Sequence, residues 1–248
     1  YRPIYPAKIR AMCAENSASL LVDYGHLGAM QSLLAIWLTD VPRDMLQIFD
    51  DVLKDVVLKE FPHYSQIAQE LHVRIINLPI ADRLRDLRQN DLNNLIRVSG
   101  VVTRRTDVYP QIKASAYDCS HCGEHYGPYA DEKLKPPQCL ACHQGVLRPN
   151  SQRSEYRNYQ KINLQESPGS VPPGRVPRYK EVELLGDLID IARPGEEIDV
   201  VGVYCHTTMH MNKQGGFPVY GTHIKANCVV KKSVGSNSGL SEEDKRMI

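Results

Sequence analysis

The sequence predicts a multi-part α+β protein: an N-terminal helical bundle, a small β-barrel and a four-cysteine ribbon inserted into that barrel. Three observations carry this prediction. Apolar residues recur at helical spacing over residues 1–71, short runs with a period of two follow from residue 72, and two Cys-x-x-Cys pairs interrupt those runs. Residues 233–248 are predicted as a linker, because residues 233–239 are rich in Gly and Ser, and residues 241–244 are typical of the start of another helix.

Residues 1–71 predict the helical bundle. A first helix is expected from Tyr5 to Asn16, because prolines stand at its start, where a missing backbone N–H is tolerated. A longer helix is expected between Pro42 and Pro62, because apolar residues there repeat every 3.6 residues. We interpret these apolar stripes as hydrophobic core and not as a cofactor site.

The β-barrel is predicted in two parts, residues 72–117 and residues 151–232. The run Leu95–Thr103 alternates between apolar and polar residues, which indicates a strand with one buried face. Gly100 in the middle of that run indicates the bend that a small barrel needs. A short helix is expected over residues 82–89, with its leucines facing inward.

Further strands are expected after the ribbon, at residues 159–166, 182–188, 198–205 and 217–230. The last two flank a loop with two adjacent glycines, so we expect a long hairpin over residues 198–230. Short strands with long, irregular connections predict a partly open Greek-key barrel, the OB-fold. The segment 167–178 is too rich in proline and glycine for regular structure.

The ribbon is predicted over residues 118–150 and carries the strongest chemical signal in the chain. Sixteen residues separate its two Cys-x-x-Cys pairs, a spacing typical of a four-thiolate zinc site. The candidate zinc ligands are Cys119, Cys122, Cys139 and Cys142. Four thiolates close the coordination shell, so the zinc would be structural. The glycines after each pair, at positions 123 and 145, are expected to have positive φ.

Three alternatives to this four-cysteine zinc site remain open. Iron is the competing metal for a four-sulfur site, and two disulfides are the alternative without a metal. Nearby histidines could replace a cysteine as ligand, although we interpret them as surface residues: His121, His125 and His143. A catalytic zinc hydrolase is disfavoured, because it would need three ligands and an open position.

Composition excludes several other classes of protein. The chain has 248 residues, of which 42% are hydrophobic and 24% charged, an ordinary globular balance. No apolar run is long enough to span a membrane, and we expect no signal peptide. Scattered thiols at Cys13, Cys205 and Cys228 favour a reducing compartment. The chain starts at Tyr1 and not at Met, so we expect a piece of a longer protein.

Catalytic motifs are absent from the sequence. It contains no GxxxxGK[ST] phosphate loop, no GxSxG and no HExxH, so we expect no enzymatic activity from these residues.

The sequence favours nucleic-acid binding over catalysis. The net charge is only +1, but residues 200–241 contain no Asp or Glu, which indicates a local positive stripe. The candidate DNA-binding residues are Arg104, Arg105, Lys113, His210, Lys213 and Lys225. For each of them, a solvated surface charge is the alternative. Aromatic residues are few there, so contact is expected to be electrostatic and independent of base sequence.

In combination, these features resemble the N-terminal domain of the minichromosome maintenance (MCM) replicative helicases. The resemblance rests on the order of helical bundle, strand Leu95–Arg104, Cys-x-x-Cys insertion, Gln165–Gly169, Gly174–Arg178 and terminal hairpin. It implies one tier of a hetero-hexameric ring of paralogous subunits that encircles single- or double-stranded DNA in the nucleus.

The resemblance also implies roles for particular segments. The ribbons would help two rings meet head to head. The segment 167–178 would communicate with an ATPase tier, through the inter-tier residues Gln165, Glu166, Arg175 and Arg178. ATP and Mg²⁺ would bind only in that ATPase domain, to which residues 233–248 would lead. The hairpin loop over residues 206–216 would point into the ring channel, although it is shorter than expected. The alternative is a stand-alone single-strand nucleic-acid-binding module, which would need more stacking aromatics.

Overall fold

The computed structural model of the chain describes residues 4–68, 70–130, 134–208 and 219–232. The chain divides into two compact units. The large unit comprises Tyr1–Arg105 and Lys161–Ile248, and the small unit comprises Thr106–Gln160. Within the described residues, no helix combines the length and the apolar character needed to cross a membrane.

The N-terminal part of the large unit contains helices and a small parallel sheet. The helices are α1 (Ile4–Ala14), α2 (Tyr24–Met30), α3 (Ser32–Asp40) and α4 (Pro42–Glu60). The expected first and long helices are therefore confirmed, and Pro42 occupies the first turn of α4 as predicted. Two strands, β1 (Ser19–Asp23) and β2 (His72–Ile76), pair in parallel.

Strand β1 is a correction to the sequence analysis, which expected only helices in this part of the chain. A short apolar run such as Leu20-Leu21-Val22 cannot be assigned to helix or strand by periodicity alone. The partner strand β2 decides the assignment, since it pairs with β1 and not with the strands of the larger sheet. Residues 72–76 therefore do not belong to the closed sheet, although the sequence analysis placed them in the barrel part 72–117. Leu20 and Val22 are buried in the same hydrophobic core as the helices.

The remaining strands form one larger sheet, and β6 runs through both units. They are β3 (Leu95–Arg105), β4 (Tyr109–Cys119), β5 (His125–Tyr129), β6 (Leu147–Gln165), β7 (Tyr179–Leu185), β8 (Glu197–Thr208) and β9 (Tyr220–Lys231). In the large unit the order is β3-β8-β9-β7-β6, and β3 also pairs with β6. The sheet of the large unit therefore closes on itself. The two strands of the predicted hairpin pair antiparallel as β8 and β9, and residues 209–218 between them lie outside the described residues.

The interior of the closed sheet is a second hydrophobic core. Its fully buried side chains include Val98, Val102, Ile162 and Leu164, on the faces that the alternating patterns predicted. Gly100 is required where β3 meets β6, because a Cβ there would overlap the backbone carbonyl oxygen of Gln165.

The expected helix over residues 82–89 is wrong. Turns and a short 3₁₀ helix, Gln89–Asp91, occupy this stretch instead. The Asp82 backbone N–H donates to the Arg97 carbonyl oxygen of β3 at 2.7 Å, which holds the chain against the strand. Leu84 and Leu87 are nevertheless buried as predicted, at 3% and 6% exposure.

A buried network of hydrogen bonds and one ion pair connects β2 of the N-terminal sheet to β9 within the large unit. The Asn227 side chain accepts from the Ile75 backbone N–H at 2.8 Å and donates to the Val73 carbonyl at 2.9 Å. The buried Arg74 donates to the Asn227 carbonyl at 2.9 Å and forms an ion pair with Asp187. Asn227 thus replaces the backbone partner that a neighbouring strand would supply.

Candidate metal centre and cationic surface

The four predicted cysteines lie together at one end of the small unit. Cys119 is the last residue of β4, and its register partner on β6 is Leu147. The other pair lies in the turns before β6. Each Cys-x-x-Cys segment forms a tight turn, since Gly123 N–H donates to the Cys119 carbonyl at 3.1 Å and His143 N–H to the Cys139 carbonyl at 2.9 Å. Two such turns face each other.

The sulfur positions fit a single ion. All four Sγ atoms lie within 4.8 Å of one another. Cys119 Sγ is 3.6 Å from Cys142 Sγ, and Cys122 Sγ is 3.4 Å from Cys139 Sγ. A tetrahedral site with metal–sulfur bonds of about 2.3 Å has sulfur–sulfur edges of about 3.8 Å. The cysteines are free thiols in the structure, not disulfides. The cluster can therefore bind a metal ion.

Hydrogen bonds favour the thiolate form, which is the metal-binding form of cysteine, at Cys119 and Cys139. At Cys122 the Glu124 backbone N–H lowers the pKa of the thiol, but the neighbouring thiols of Cys119 and Cys139 raise it to about 12. The backbone N–H groups of Cys122 and His121 lower the pKa of the Cys119 thiol. The hydroxyl of Tyr126 lies 3.2 Å from Cys139 Sγ, and this contact lowers the pKa of Cys139 to about 5. The sequence analysis missed Tyr126, since nothing in the spacing of the cysteines points to a tyrosine on β5.

The two glycines near the cysteines serve different purposes. Gly123 has a φ of 73°, as expected for a residue after a tight turn. The same expectation is wrong for Gly145, because the positive φ on that side belongs to His143, at 53°. Gly145 is needed for space: a Cβ there would overlap the Cys119 sulfur.

The neighbouring histidines are not part of the cluster. Among the described residues, the group of potential ligands contains only the four cysteines. His125 instead contacts the Asp118 carboxylate at 2.7 Å, and His121 and His143 are exposed. This agrees with their interpretation as surface residues.

The candidate DNA-binding residues are distributed over both units. Arg104 is exposed at the end of β3, and its side chain has no hydrogen-bond or ion-pair partner within the described part of the chain. Arg105 is paired with Asp190 at 3.0 Å. Lys225 is exposed on β9. Lys113, in the small unit, lies 4.0 Å from Glu155. His210 and Lys213 lie outside the described residues.

Distant acidic residues neutralise much of the predicted acid-free stripe. Lys231 is paired with Glu196 at 3.0 Å, and Lys232 with Glu197 at 3.2 Å. His223 lies 3.6 Å from Glu183 of β7. The turn before β8 and the neighbouring strands supply these carboxylates, which a scan of residues 200–241 cannot reveal.

The predicted inter-tier residues lie at the base of the segment 167–178. Glu166 is only 5% exposed and binds Arg85 through both carboxylate oxygens, at 2.8 and 2.7 Å. It also accepts the Arg178 backbone N–H at 3.0 Å. Arg85 chiefly lowers the pKa of the Glu166 carboxyl. No pattern in the sequence indicated Arg85 as the partner. Arg175 is exposed, and Gln165 ends β6.

The closed sheet and the four-cysteine cluster fit an OB-domain protein with an insertion that could hold a metal ion. The family model of the MCM OB domain matches residues 83–208, more than half of the chain, and that of the MCM N-terminal domain matches residues 1–77. The chain belongs to the MCM family, as the motif order predicted.

Known relatives cover nearly the whole chain. It is 44% identical over 246 residues to DNA replication licensing factor mcm2 of Schizosaccharomyces pombe, which is 97% of this chain and 29% of that protein. It is 45% identical to MCM2 of Oryza sativa subsp. indica, over 98% of this chain and 26% of that protein. It is 28% identical to the minichromosome maintenance protein MCM of Saccharolobus solfataricus, over 98% of this chain and 37% of that protein.

The chain thus spans less than a third of the two eukaryotic relatives' length. Within the family, four segments resemble the second paralogue of the eukaryotic hexamer: Leu46–Asp50, His72–Arg74, Tyr159–Ile162 and Gln165–Gly169. The similarity to the relatives named MCM2 agrees with this interpretation.

Proposed function

We propose that this chain forms the DNA-holding tier of one subunit of a hexameric replicative helicase, which acts in replication licensing. The observation that carries the proposal is the match of both MCM family models together with relatives named DNA replication licensing factors. The tier binds backbone phosphates and does not read base sequence, because such contacts position DNA without specifying it.

Arg104 is the principal phosphate contact on this proposal. Its exposed guanidinium, with no partner among the described residues, supports this role. Arg105, Lys113 and Lys225 add positive charge, and so do His210 and Lys213 of the hairpin loop. The ion pairs of Arg105 and Lys113 make their contribution smaller, because a paired cation must give up its carboxylate before it can bind phosphate fully.

The four-cysteine cluster holds a structural Zn²⁺ ion on this proposal. Its all-thiolate ligand set and its sulfur separations support zinc, which accepts tetrahedral geometry without electronic preference. With no open ligand position, the ion organises the small unit as a zinc ribbon and takes no part in a reaction. The ribbon would then present its outer surface to a second ring.

The remaining assignments concern the whole protein. We place it in the nucleus, in a ring with paralogous MCM subunits, with head-to-tail contacts that need two different faces on each subunit. ATP and Mg²⁺ act in an ATPase domain outside these residues. The segment 167–178, fixed at its base by the Arg85–Glu166 pair, is the inter-tier loop.

The test is DNA binding by a reconstituted ring that carries Arg104→Glu in this subunit. We expect weaker binding at low salt and a smaller salt dependence, with the slope of log K against log salt reduced by about 1 for a lost phosphate contact. The matched control is Arg10→Glu, since Arg10 is an exposed arginine on α1 paired with Glu60. An unchanged slope for Arg104→Glu contradicts the assignment of Arg104. Tight binding of single strands by the isolated chain would favour the stand-alone module.

A further inference from the structure

A pocket in the large unit is lined by arginines from two distant segments of the chain. Its volume is about 310 Å³, and the lining residues are Arg85, Asp86, Arg88, Arg175, Val176 and Arg178. The first three belong to the turns before β3, and the others to the segment 167–178. Four guanidinium groups thus share one pocket with a single aspartate in its lining.

The carboxylates of Glu166 and Asp86, near the pocket, already have hydrogen-bond or ion-pair partners. Both oxygens of Glu166 are engaged by Arg85, and one of them also accepts the Arg178 backbone N–H. Asp86 is paired with Arg83 at 2.9 Å. Arg88, Arg175 and Arg178 therefore have no ion-pair partner among the residues that the structure describes.

Two of these three arginines, Arg88 and Arg178, share one backbone acceptor. Arg88 Nη1 donates to the Arg85 carbonyl oxygen at 2.7 Å, and Arg178 Nη1 donates to the same oxygen at 3.4 Å. Each guanidinium carries five N–H donors, so most donors of the three arginines stay available. Positively charged groups that line one pocket repel one another, and a bound anion would offset that repulsion.

We propose that this arginine pocket binds a phosphomonoester group, the dianion that ends a nucleotide or a phosphorylated side chain. This inference goes beyond the proposed contact with DNA and does not depend on it. A phosphomonoester offers three strong acceptor oxygens and close to two negative charges, which suits three unpaired guanidinium groups. A carboxylate suits the pocket less well, because Glu166 is satisfied by one arginine and one amide.

A phosphodiester of DNA also fits less well than a phosphomonoester. It carries one charge, and successive phosphates along a strand call for a track of cations and not for three in one pocket. The pocket is concave and formed by two segments far apart in sequence, unlike the exposed end of β3 that carries Arg104.

The experiment is an NMR titration of the isotope-labelled chain with inorganic phosphate at pH 7.5 and constant ionic strength. We expect saturable shifts at the backbone amides of Arg88, Arg175 and Arg178. In the double variant Arg175→Gln/Arg178→Gln, phosphate affinity should fall at least about tenfold, because charge-assisted hydrogen bonds are lost. The control Arg193→Gln removes the same kind of exposed charge outside the pocket and should keep the wild-type affinity.

Two further arms identify the source of the group. AMP and O-phospho-L-serine, which each carry one phosphomonoester, are titrated separately, and the tighter of the two tells whether a nucleotide or a phosphorylated side chain fits better. An oligonucleotide without terminal phosphates serves as the phosphodiester probe. Equal phosphate affinity in the double variant and the wild type overturns the proposal. So does an oligonucleotide that shifts the same amides at lower concentration than phosphate does.

Discussion

The two compact units of this chain differ in the size of their hydrophobic cores. The large unit contains two hydrophobic cores, one between the helices and the sheet and one inside the closed sheet. In the described residues of the small unit, the buried hydrophobic cluster consists of Tyr117, Cys119, Cys139 and Leu147, with a few partly buried neighbours. Two of those four residues are candidate metal ligands.

The contrast concerns how much apolar surface each unit can bury. Burial of apolar side chains contributes about 25 cal/mol for each Å² removed from water, so a large core is stable without further aid. A unit as small as Thr106–Gln160 cannot bury enough apolar area, and such units usually depend on a metal or a disulfide. On our proposal, a metal ion held by the four-cysteine cluster fills that need in the small unit.

The largest expected effect tests this contrast directly. Metal analysis of the purified chain should give about one zinc per chain, and removal of the metal with a chelator should unfold the small unit while the large unit keeps its structure. NMR amide dispersion of the two units is the measurement. Cys139→Ser, which removes a fully buried sulfur, should have the same effect. A chain that contains no metal, or a small unit unaffected by chelation, would contradict this account.

A buried charge gives the next largest effect, and it lies in the large unit. Arg74→Ala should lower the free energy of unfolding by about 3–5 kcal/mol, because it leaves Asp187 and the Asn227 carbonyl without their partner. The control is Arg10→Ala, whose exposed pair with Glu60 should contribute less than about 1 kcal/mol. Urea unfolding of both variants measures the difference. If both variants lose the same free energy of unfolding, the buried hydrogen bonds and ion pair of Arg74 stabilise the fold no more than an exposed ion pair does.

Truncation of a core side chain in the large unit tests whether the two units are stabilised independently. Leu184 is fully buried inside the closed sheet, so Leu184→Ala should cost about 2–5 kcal/mol through lost contacts and the cavity left behind. Zinc content should stay at the wild-type value, because the cluster belongs to the other unit. Thermal unfolding and metal analysis of the same sample provide the two measurements. A loss of zinc would show that the two units are not independently stabilised.

The smallest effect concerns pH and the base of the inter-tier loop. Arg85 lowers the pKa of Glu166 in the folded protein, so the pair stabilises the fold above the unfolded pKa of Glu and is lost as pH falls through the folded value. Glu166→Gln should therefore lower the Tm at pH 7, and its difference from wild type should shrink under acid. The exposed control Glu15→Gln should show little difference at either pH. A difference in Tm between Glu166→Gln and wild type that grows in acid would contradict the stabilising role of the Arg85–Glu166 pair.

Much of the candidate metal site could be predicted from the sequence, and much less of the cationic surface. The spacing of the cysteines identifies all four members of the cluster, because each Cys-x-x-Cys turn is a local structure. The role of Tyr126 and the space required at Gly145 depend on segments brought together by folding. The positive stripe in residues 200–241 is partly neutralised by Glu183, Glu196 and Glu197, which precede it in the chain.

By itself, the sequence determined the first helix and the long helix α4, the alternating strands and the four cysteines of the cluster, since these depend on patterns over a few residues. Only the tertiary structure decided that β1 pairs with β2, that Arg85 meets Glu166, and that one pocket is lined by three arginines without an ion-pair partner among the described residues. The physical reason is distance along the chain. Arg85 and Glu166 are 81 residues apart, so their contact depends on how the intervening strands register and on no local pattern.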